Sequence, residues 1–253
     1  RLLPCRRLIW ARNGLSPIPP LDCLNDMGGT PEIIDQKLSA ADIAAHVVTG
    51  SPVRLVSCQM VGVDFAEADL IEWSFEKCDL RGTRFDHCVM DDIVFNGCRG
   101  VDATFRSTRF SQVQFMTCDL SNANFAHSKL ADVEFNDCKM LGANLTDLSV
   151  ADLSIAESNL GLSQLRGLPM RGATLKGVNF DQADLTASNF KDATLEDCSL
   201  RESIVEDANF QGADLRTCDL GGLQMSDARR FKGAIISKRQ AGDLLGQLGL
   251  KVI

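Results

Sequence analysis

Between Leu55 and Met225 the chain places a large apolar residue at every fifth position. Of the 35 multiples of five in that span, 34 hold Leu, Phe, Met, Ile or Val, and Gly100 is the exception. Twelve of the 13 phenylalanines fall on this register. A second register, two places earlier (58, 63, 68 and on to 228), also has 35 positions, of which 29 hold Ala, Cys, Ser, Thr or Val. Its exceptions are Trp73, Ile93, Leu148, Leu153, Leu168 and Leu223. A strand alternates with period 2 and an amphipathic helix repeats near 3.6, so neither keeps both registers on one face. One phase held for about 170 residues is an internal repeat, and it decides the architecture ahead of any local propensity.

Two side chains of each five-residue unit must therefore point inward, one large and one small, while three face water. A short extended piece followed by a tight turn achieves this, and four such sides close a square coil of about 20 residues. Stacked coils pair backbone to backbone at ~4.8 Å, so each coil satisfies the edge of the next. Residues 20 apart then stack. Cys58, Cys78, Cys98, Cys118 and Cys138 share one column, which Cys198 and Cys218 rejoin. Phe65, Phe85, Phe105 and Phe125 form a second column, and Phe75, Phe95, Phe115 and Phe135 the one opposite. Asp, Asn and Gly recur at and near the expected corners, where turn chemistry favours them. The less regular stretch 146–172, with Leu148, Leu153, Leu168 and Pro169, is expected to distort the coil locally.

The units read "ADL" at 68–70, 183–185 and 213–215, "ANF" at 123–125 and 208–210, and "ANL" at 143–145. This resembles the pentapeptide-repeat family over residues 55–235. The resemblance implies an all-β solenoid, a right-handed quadrilateral β-helix, spanning 53–235 with short helical caps.

A solenoid exposes an unpaired coil at each end and needs caps. Residues 30–52 are expected to form the first, as one or two short helices. Thr30-Pro31 suits an N-cap followed by Pro at N1, and Ser39 with Asp42 a capping box. The register is expected to fail at Arg230, and residues 236–253 to hold a helix capped by Ser237 and ending near Gly249. Leu244, Leu245 and Leu248 lie on its apolar side, as a lid or as a dimer seam. Residues 1–29, with four Arg and four of the seven prolines before Met27, contain no signal-peptide apolar core and are read as a disordered leader.

The composition, 45% hydrophobic and 24% charged, suits a folded domain, and no apolar run approaches the ~18 residues of a membrane span. Of the ten cysteines, eight sit at the small inward position, where a thiol acts as a small hydrophobe. Their spacings of 10 and 20 match no zinc pattern, and so many unpaired thiols point to a reducing, cytoplasmic compartment. His87 and His127 lie at outward positions two coils apart, His46 lies in the N-terminal segment, and all three read as surface residues. There is no Gly-rich phosphate loop, nucleophile elbow or H-E-x-x-H, so no catalytic, cofactor or metal site is expected, and a self-filled rod offers no pocket of ordinary size.

The formal net charge of −8 argues against a basic nucleic-acid binder. Residues 61–228 hold 28 Asp+Glu against 14 Lys+Arg, a net of −14. Fourteen of the acids occupy the position two after the large residue, where the only base is Lys77. Among them Glu72, Asp92, Asp132, Asp152 and Asp192 share one side and form a carboxylate ladder. Solubility does not require that alignment, and mutual repulsion opposes it, so the ladder is the candidate interaction face.

The tail, with Gln240-Ala241, Leu244-Leu245, Leu248-Gly249-Leu250 and Val252, resembles the C-terminal helix of the Qnr/MfpA group. That resemblance implies a bacterial homodimer joined through this helix, a long acidic rod that mimics duplex DNA. It also implies binding to DNA gyrase and topoisomerase IV and a link to quinolone resistance. The register has no inserted loop, unlike Qnr proteins, which sets it nearer the MfpA type. A scaffolding repeat protein and a toxin-immunity protein acting at gyrase are the alternatives.

Overall fold

In the computed structural model, which describes residues 30–247, 249 and 250, the repeat winds into a right-handed parallel β-solenoid of about eight turns. At ~4.8 Å per turn the coiled part is roughly 40 Å long. The strands are β1 (Glu32–Ile34), β2 (Arg54–Val56), β3 (Asp69–Ile71), β4 (Ser74–Glu76), β5 (Val89–Asn96), β6 (Arg109–Met116), β7 (Lys129–Asn136), β8 (Ser149–Val150), β9 (Leu153–Ala156), β10 (Thr174–Lys176) and β11 (Thr194–Glu196). Helix α1 (Ala40–Thr49) lies near one end, and a 3-10 helix (Met225–Phe231) and α2 (Lys238–Gly246) at the other. Every pairing is parallel, and from β2 through β11 every register offset is 20 residues, as in Phe75 on Phe95 and Phe115 on Phe135. The sides without long strands are joined by single-residue pairings at the same offset, from Gln59–Asp79 to Ser199–Asp219 and from Asp64–Arg84 to Asp184–Ile204.

The inward large residues fill the axis. Phe65, Phe85, Phe105 and Phe125 stack with centroids 4.7–5.0 Å apart, and Phe75, Phe95, Phe115 and Phe135 at 4.6–4.9 Å. The two columns meet edge to face, as between Phe105 and Phe115 at 5.9 Å, the geometry that the ring quadrupole favours. The inward Cys, Ser and Thr also bond. Cys98 Sγ donates to the Phe75 carbonyl at 3.3 Å, and Thr108 Oγ1 to the Phe85 carbonyl at 2.7 Å. The small register therefore favours a side chain that donates one hydrogen bond into the coil below.

In one corner column the shape follows the size of the small-register residue. Trp73, Ile93, Val113, Val133 and Leu153 occupy one corner column and are buried. At Ile93, Val113 and Val133 the corner opens, and β5, β6 and β7 run through it as continuous eight-residue strands. Further along the same column stand Ala173, Ala193 and Ala213, whose N–H groups bond the Met170, Phe190 and Phe210 carbonyls at 3.1–3.2 Å and close tight turns. The stretch 146–172 keeps the 20-residue register, so the expected distortion is small. It appears in the shortened β8, in half-buried Leu148 and Val150, and in Asp152, the only member of its corner column without a left-handed φ.

Two expectations for the ends are corrected. Thr30-Pro31 does not start a helix: the Pro31 carbonyl accepts the Arg54 N–H at 2.9 Å, and Glu32-Ile33-Ile34 pairs with β2 as β1. The two β-branched isoleucines suit a strand on the free edge, so the first cap is a strand followed by α1, whose Ser39–Asp42 capping box does form. The five-residue register does fail at Arg230, as expected, but the ladder goes on. It slips by one residue across the 3-10 helix, so that Asp214 pairs with Ile235 and Phe231, the thirteenth phenylalanine, stacks on Phe210 at 4.6 Å. Helix α2 is capped by Ser237 and ends at Gly246, short of Gly249. The leader expected over 1–29 lies outside the described residues.

Phe105 stacks on Phe85 and Phe125 and touches Phe95 and Phe115 edge-on. Phe105→Ala is expected to lower stability by about 3–5 kcal/mol in urea unfolding. A loss below ~1 kcal/mol would contradict a close-packed axis.

Candidate functional site

The outward carboxylates fall into two classes. Asp and Asn just before a central residue fold back on their own turn, accepting the backbone N–H two residues on. Asp64 takes that of Ala66 at 2.9 Å, Asn144 that of Thr146 at 3.0 Å and Asp184 that of Thr186 at 3.0 Å. This local bond supplies the physical reason for Asp or Asn in the "ADL" and "ANL" units. Bases then pair with several of these acids: Arg81 with Asp79, Arg84 with Asp64, Lys139 with Asp119, Arg166 with Asp184 and Arg216 with Asp214. Hydrogen bonds from Arg81, Arg84 and Arg216 hold the carboxyls of Asp79, Asp64 and Asp214 below the usual carboxylate range.

The second class sits on the corners. Of the fourteen acids two places after a large residue, all but Asp152 and Asp227 take the left-handed conformation, with φ between 46° and 64°. Asp visits this region readily because its short side chain bonds locally, whereas Glu has no such preference. Turn chemistry thus accounts for the aspartates but not for Glu67, Glu72, Glu157 and Glu202.

The structure brings the five predicted residues onto one corner column, in the order Glu72, Asp92, Gln112, Asp132, Asp152, Gly172, Asp192, Gly212. The coils beside them bond through the backbone, as between Glu72 N–H and the Asp91 carbonyl at 2.9 Å. The column reads as two dyads on successive turns, Glu72 with Asp92 and Asp132 with Asp152, plus a separate Asp192. Gly212 leaves room for that last carboxylate, since a Cβ there would lie 2.6 Å from the Asp192 Oδ1. Among the described residues none of the five carboxylates makes an ion pair or a hydrogen bond. Burial, then Glu72 and Asp91, pushes the Asp92 carboxyl up. The ladder is therefore uncompensated charge, while the acids of the first class are largely neutralised.

Among the described residues no group of three or more His, Cys, Asp or Glu could hold a metal ion. The eight described cysteines are free and buried, and burial pushes the thiols of Cys88 and Cys218 up to about 12 and that of Cys198 to about 11. His127 Nδ1 lies 3.6 Å from the Asp147 carboxylate on an exposed corner. No helix of the described residues is long and apolar enough to cross a membrane.

The expectation of no ordinary pocket fails at the C-terminal end, because α2 closes the last coil incompletely. A cavity of about 620 Å³ lies between them, bordered by Arg201, Arg216, Arg239 and Gln240. An apolar groove of about 330 Å³ runs beside it, bordered by Leu220, Leu223, Phe231, Ile236 and Leu245. Of the predicted seam, Leu244 packs partly buried against the core as a lid, Leu245 lines the groove, and Leu248 lies outside the described residues. Sequence reasoning missed the inward role of Gln240, which is buried on the last coil.

Comparison with known proteins places these features in context. A family model described as "Pentapeptide repeat region" matches residues 90–165, and one described as "Pentapeptide repeats (8 copies)" matches 58–97, 163–201 and 193–229. Together they run from 58 to 229. No curated protein matches the chain in sequence. Among solved structures, two trypsin-treated variants of QnrB1, a plasmid-mediated fluoroquinolone resistance protein, share the fold. One has 18% identity and a TM-score of 0.59, the other 19% and 0.52, and each match covers 88% of this chain and 98% of QnrB1.

Because its raised carboxyl binds a proton more tightly folded than unfolded, Asp92 lowers stability as pH rises from the usual 3.8 through its shifted value. Asp92→Asn is expected to raise the melting temperature at pH 7, with the gain vanishing below pH 3.8. An equal gain at both ends of the pH range would rule out repulsion along the ladder.

Proposed function

The chain belongs to the pentapeptide-repeat family, and from that premise we propose that its solenoid is a non-catalytic acidic rod that takes the place of duplex DNA on a type II topoisomerase. One observation carries the reading: five carboxylates aligned on one corner of the coil that, among the described residues, make no ion pair or hydrogen bond, while the acids just before the central residues are largely paired. A basic DNA-binding saddle recognises negative charge at regular spacing on a narrow rod, and the ladder of Glu72, Asp92, Asp132, Asp152 and Asp192 offers that without base edges to read. The partners are bacterial DNA gyrase and topoisomerase IV, met in the cytoplasm. The groove bordered by Leu245 supports assembly of two chains through α2, which would roughly double the rod. QnrB1 is a fluoroquinolone resistance protein; here modulation of the enzyme is the primary proposal, and protection from a quinolone is a further property that the same assay reads.

Added at micromolar concentration, the protein is expected to inhibit supercoiling by gyrase, and raising salt from ~50 to ~200 mM to weaken inhibition at least tenfold, as for any contact built on charge. Reversal of one dyad, Glu72→Lys with Asp92→Lys, is expected to weaken inhibition about tenfold, and reversal of Asp79, which is already paired, to change it little. No inhibition at any salt would leave the scaffold reading. Rescue of the enzyme from a peptide poison, without inhibition by the protein alone, would leave the immunity reading.

A further inference from the structure

The bonds that join one coil to the next follow a fixed pattern on the side carrying the thiol column. The carbonyl of the central residue accepts an S–H from the cysteine 23 positions on: Cys78 on Leu55, Cys118 on Phe95, Cys218 on Leu195. The carbonyl of that cysteine's predecessor in the column accepts a backbone N–H from the following coil, as Cys98 does from Asp119 and Cys198 from Asp219, each at 2.9 Å. With the one-residue slip that pairs Asp214 with Ile235, one more coil would supply Leu215 from position 239 and Cys218 from position 240. The chain makes no such coil, since both positions lie in α2.

Both acceptors are nevertheless satisfied, and by a single group. Gln240 Nε2 donates to the Leu215 carbonyl at 2.7 Å and to the Cys218 carbonyl at 2.8 Å. Its Oε1 accepts the Ser237 backbone N–H at 2.6 Å and the Ser237 hydroxyl at 2.8 Å. One amide thus supplies the two donors of an absent coil and fastens itself to the helix start. Gln240, Leu244 and Gln247 lie on one helix face, and Gln247 Nε2 adds a bond to the Leu223 carbonyl at 2.6 Å.

We propose that Gln240 is the stop of the solenoid, and that without its amide the last coil becomes a template for the first coil of a second copy of this chain. The other end of the fold supplies the matching edge. Among the described residues strand β1 pairs with β2 alone, and its outer edge presents backbone groups with no partner among them. Glu32 and Asp35 are exposed beside it, and Ile34 is 50% exposed. The cavity under α2 is bordered by Arg239, Asp219 and Asp243 and by Arg201 and Arg216, which pair with Asp219 and Asp214, and at the other end Glu32 pairs with Arg54, so the two ends match through their backbone edges rather than through opposite charge. Contact of unlike ends is heterologous and does not close, which distinguishes it from a two-fold dimer through α2.

The test uses the full chain and Gln240→Met, which keeps length and removes the amide. Wild-type protein is expected to sediment with one mass across a hundredfold concentration range. The variant is expected to grow in mass with concentration, with amide hydrogens of residues 213–223 exchanging at least tenfold faster. Adding Ile34→Lys to the variant, which puts a charge on the exposed apolar residue of the β1 edge, is expected to return it to the wild-type mass. Should Gln240→Met lose the β signal in circular dichroism, Gln240→Asn, whose amide is one methylene short, is read instead. A constant mass and unchanged exchange in a folded variant overturn the proposal, and so does loss of the fold in both variants, which would make the residue a global stabiliser.

Discussion

The structure depends on one constraint: each coil has its backbone N–H and C=O groups satisfied by the coils above and below it. Parallel pairing at a fixed offset of 20 residues leaves no freedom to slide, because a slip by one residue would turn the inward large and small side chains outward. With the register locked, like side chains fall onto like. Phenylalanines stack because their backbones already do, and the thiols and hydroxyls reach the carbonyl below because the same spacing brings it within range. The corners inherit the constraint too. A bulky small-register residue such as Ile93 opens the turn and extends the strand, while Ala193 in the same column lets it close.

Much of this was legible in the residues, since a period held without interruption is independent of local propensity. The four-sided winding, both phenylalanine columns and the thiol column follow from counting. What counting missed depends on where the count is allowed to change. The one-residue slip that carries Phe231 onto Phe210 is absorbed by the 3-10 helix, and no composition signal marks it. Glu32-Ile33-Ile34 lies before the first repeat, so its pairing with β2 comes from an edge needing a partner rather than from a pattern. Gln240 looked like any polar helix residue, because its role depends on two carbonyls left over some 22 to 25 positions earlier.

The candidate surface was legible in the same partial way. The column of Glu72, Asp92, Asp132, Asp152 and Asp192 could be placed by register. The difference between these acids and the rest could not, because both kinds are outward and both are Asp or Glu. Geometry separates them: an acid before the central residue reaches its own backbone and a neighbouring Arg or Lys, while among the described residues the five ladder acids make neither contact. Charge that the fold does not use for itself is left for something outside it.

The identical offset of successive turns also has a genetic meaning. Duplicating or deleting a sixty-nucleotide segment anywhere in the repeated region would add or remove one whole storey and leave the terminal pieces intact. Length in such a molecule can therefore evolve in discrete steps, like a gauge recut to the span of whatever it must fit, with no redesign of its interior.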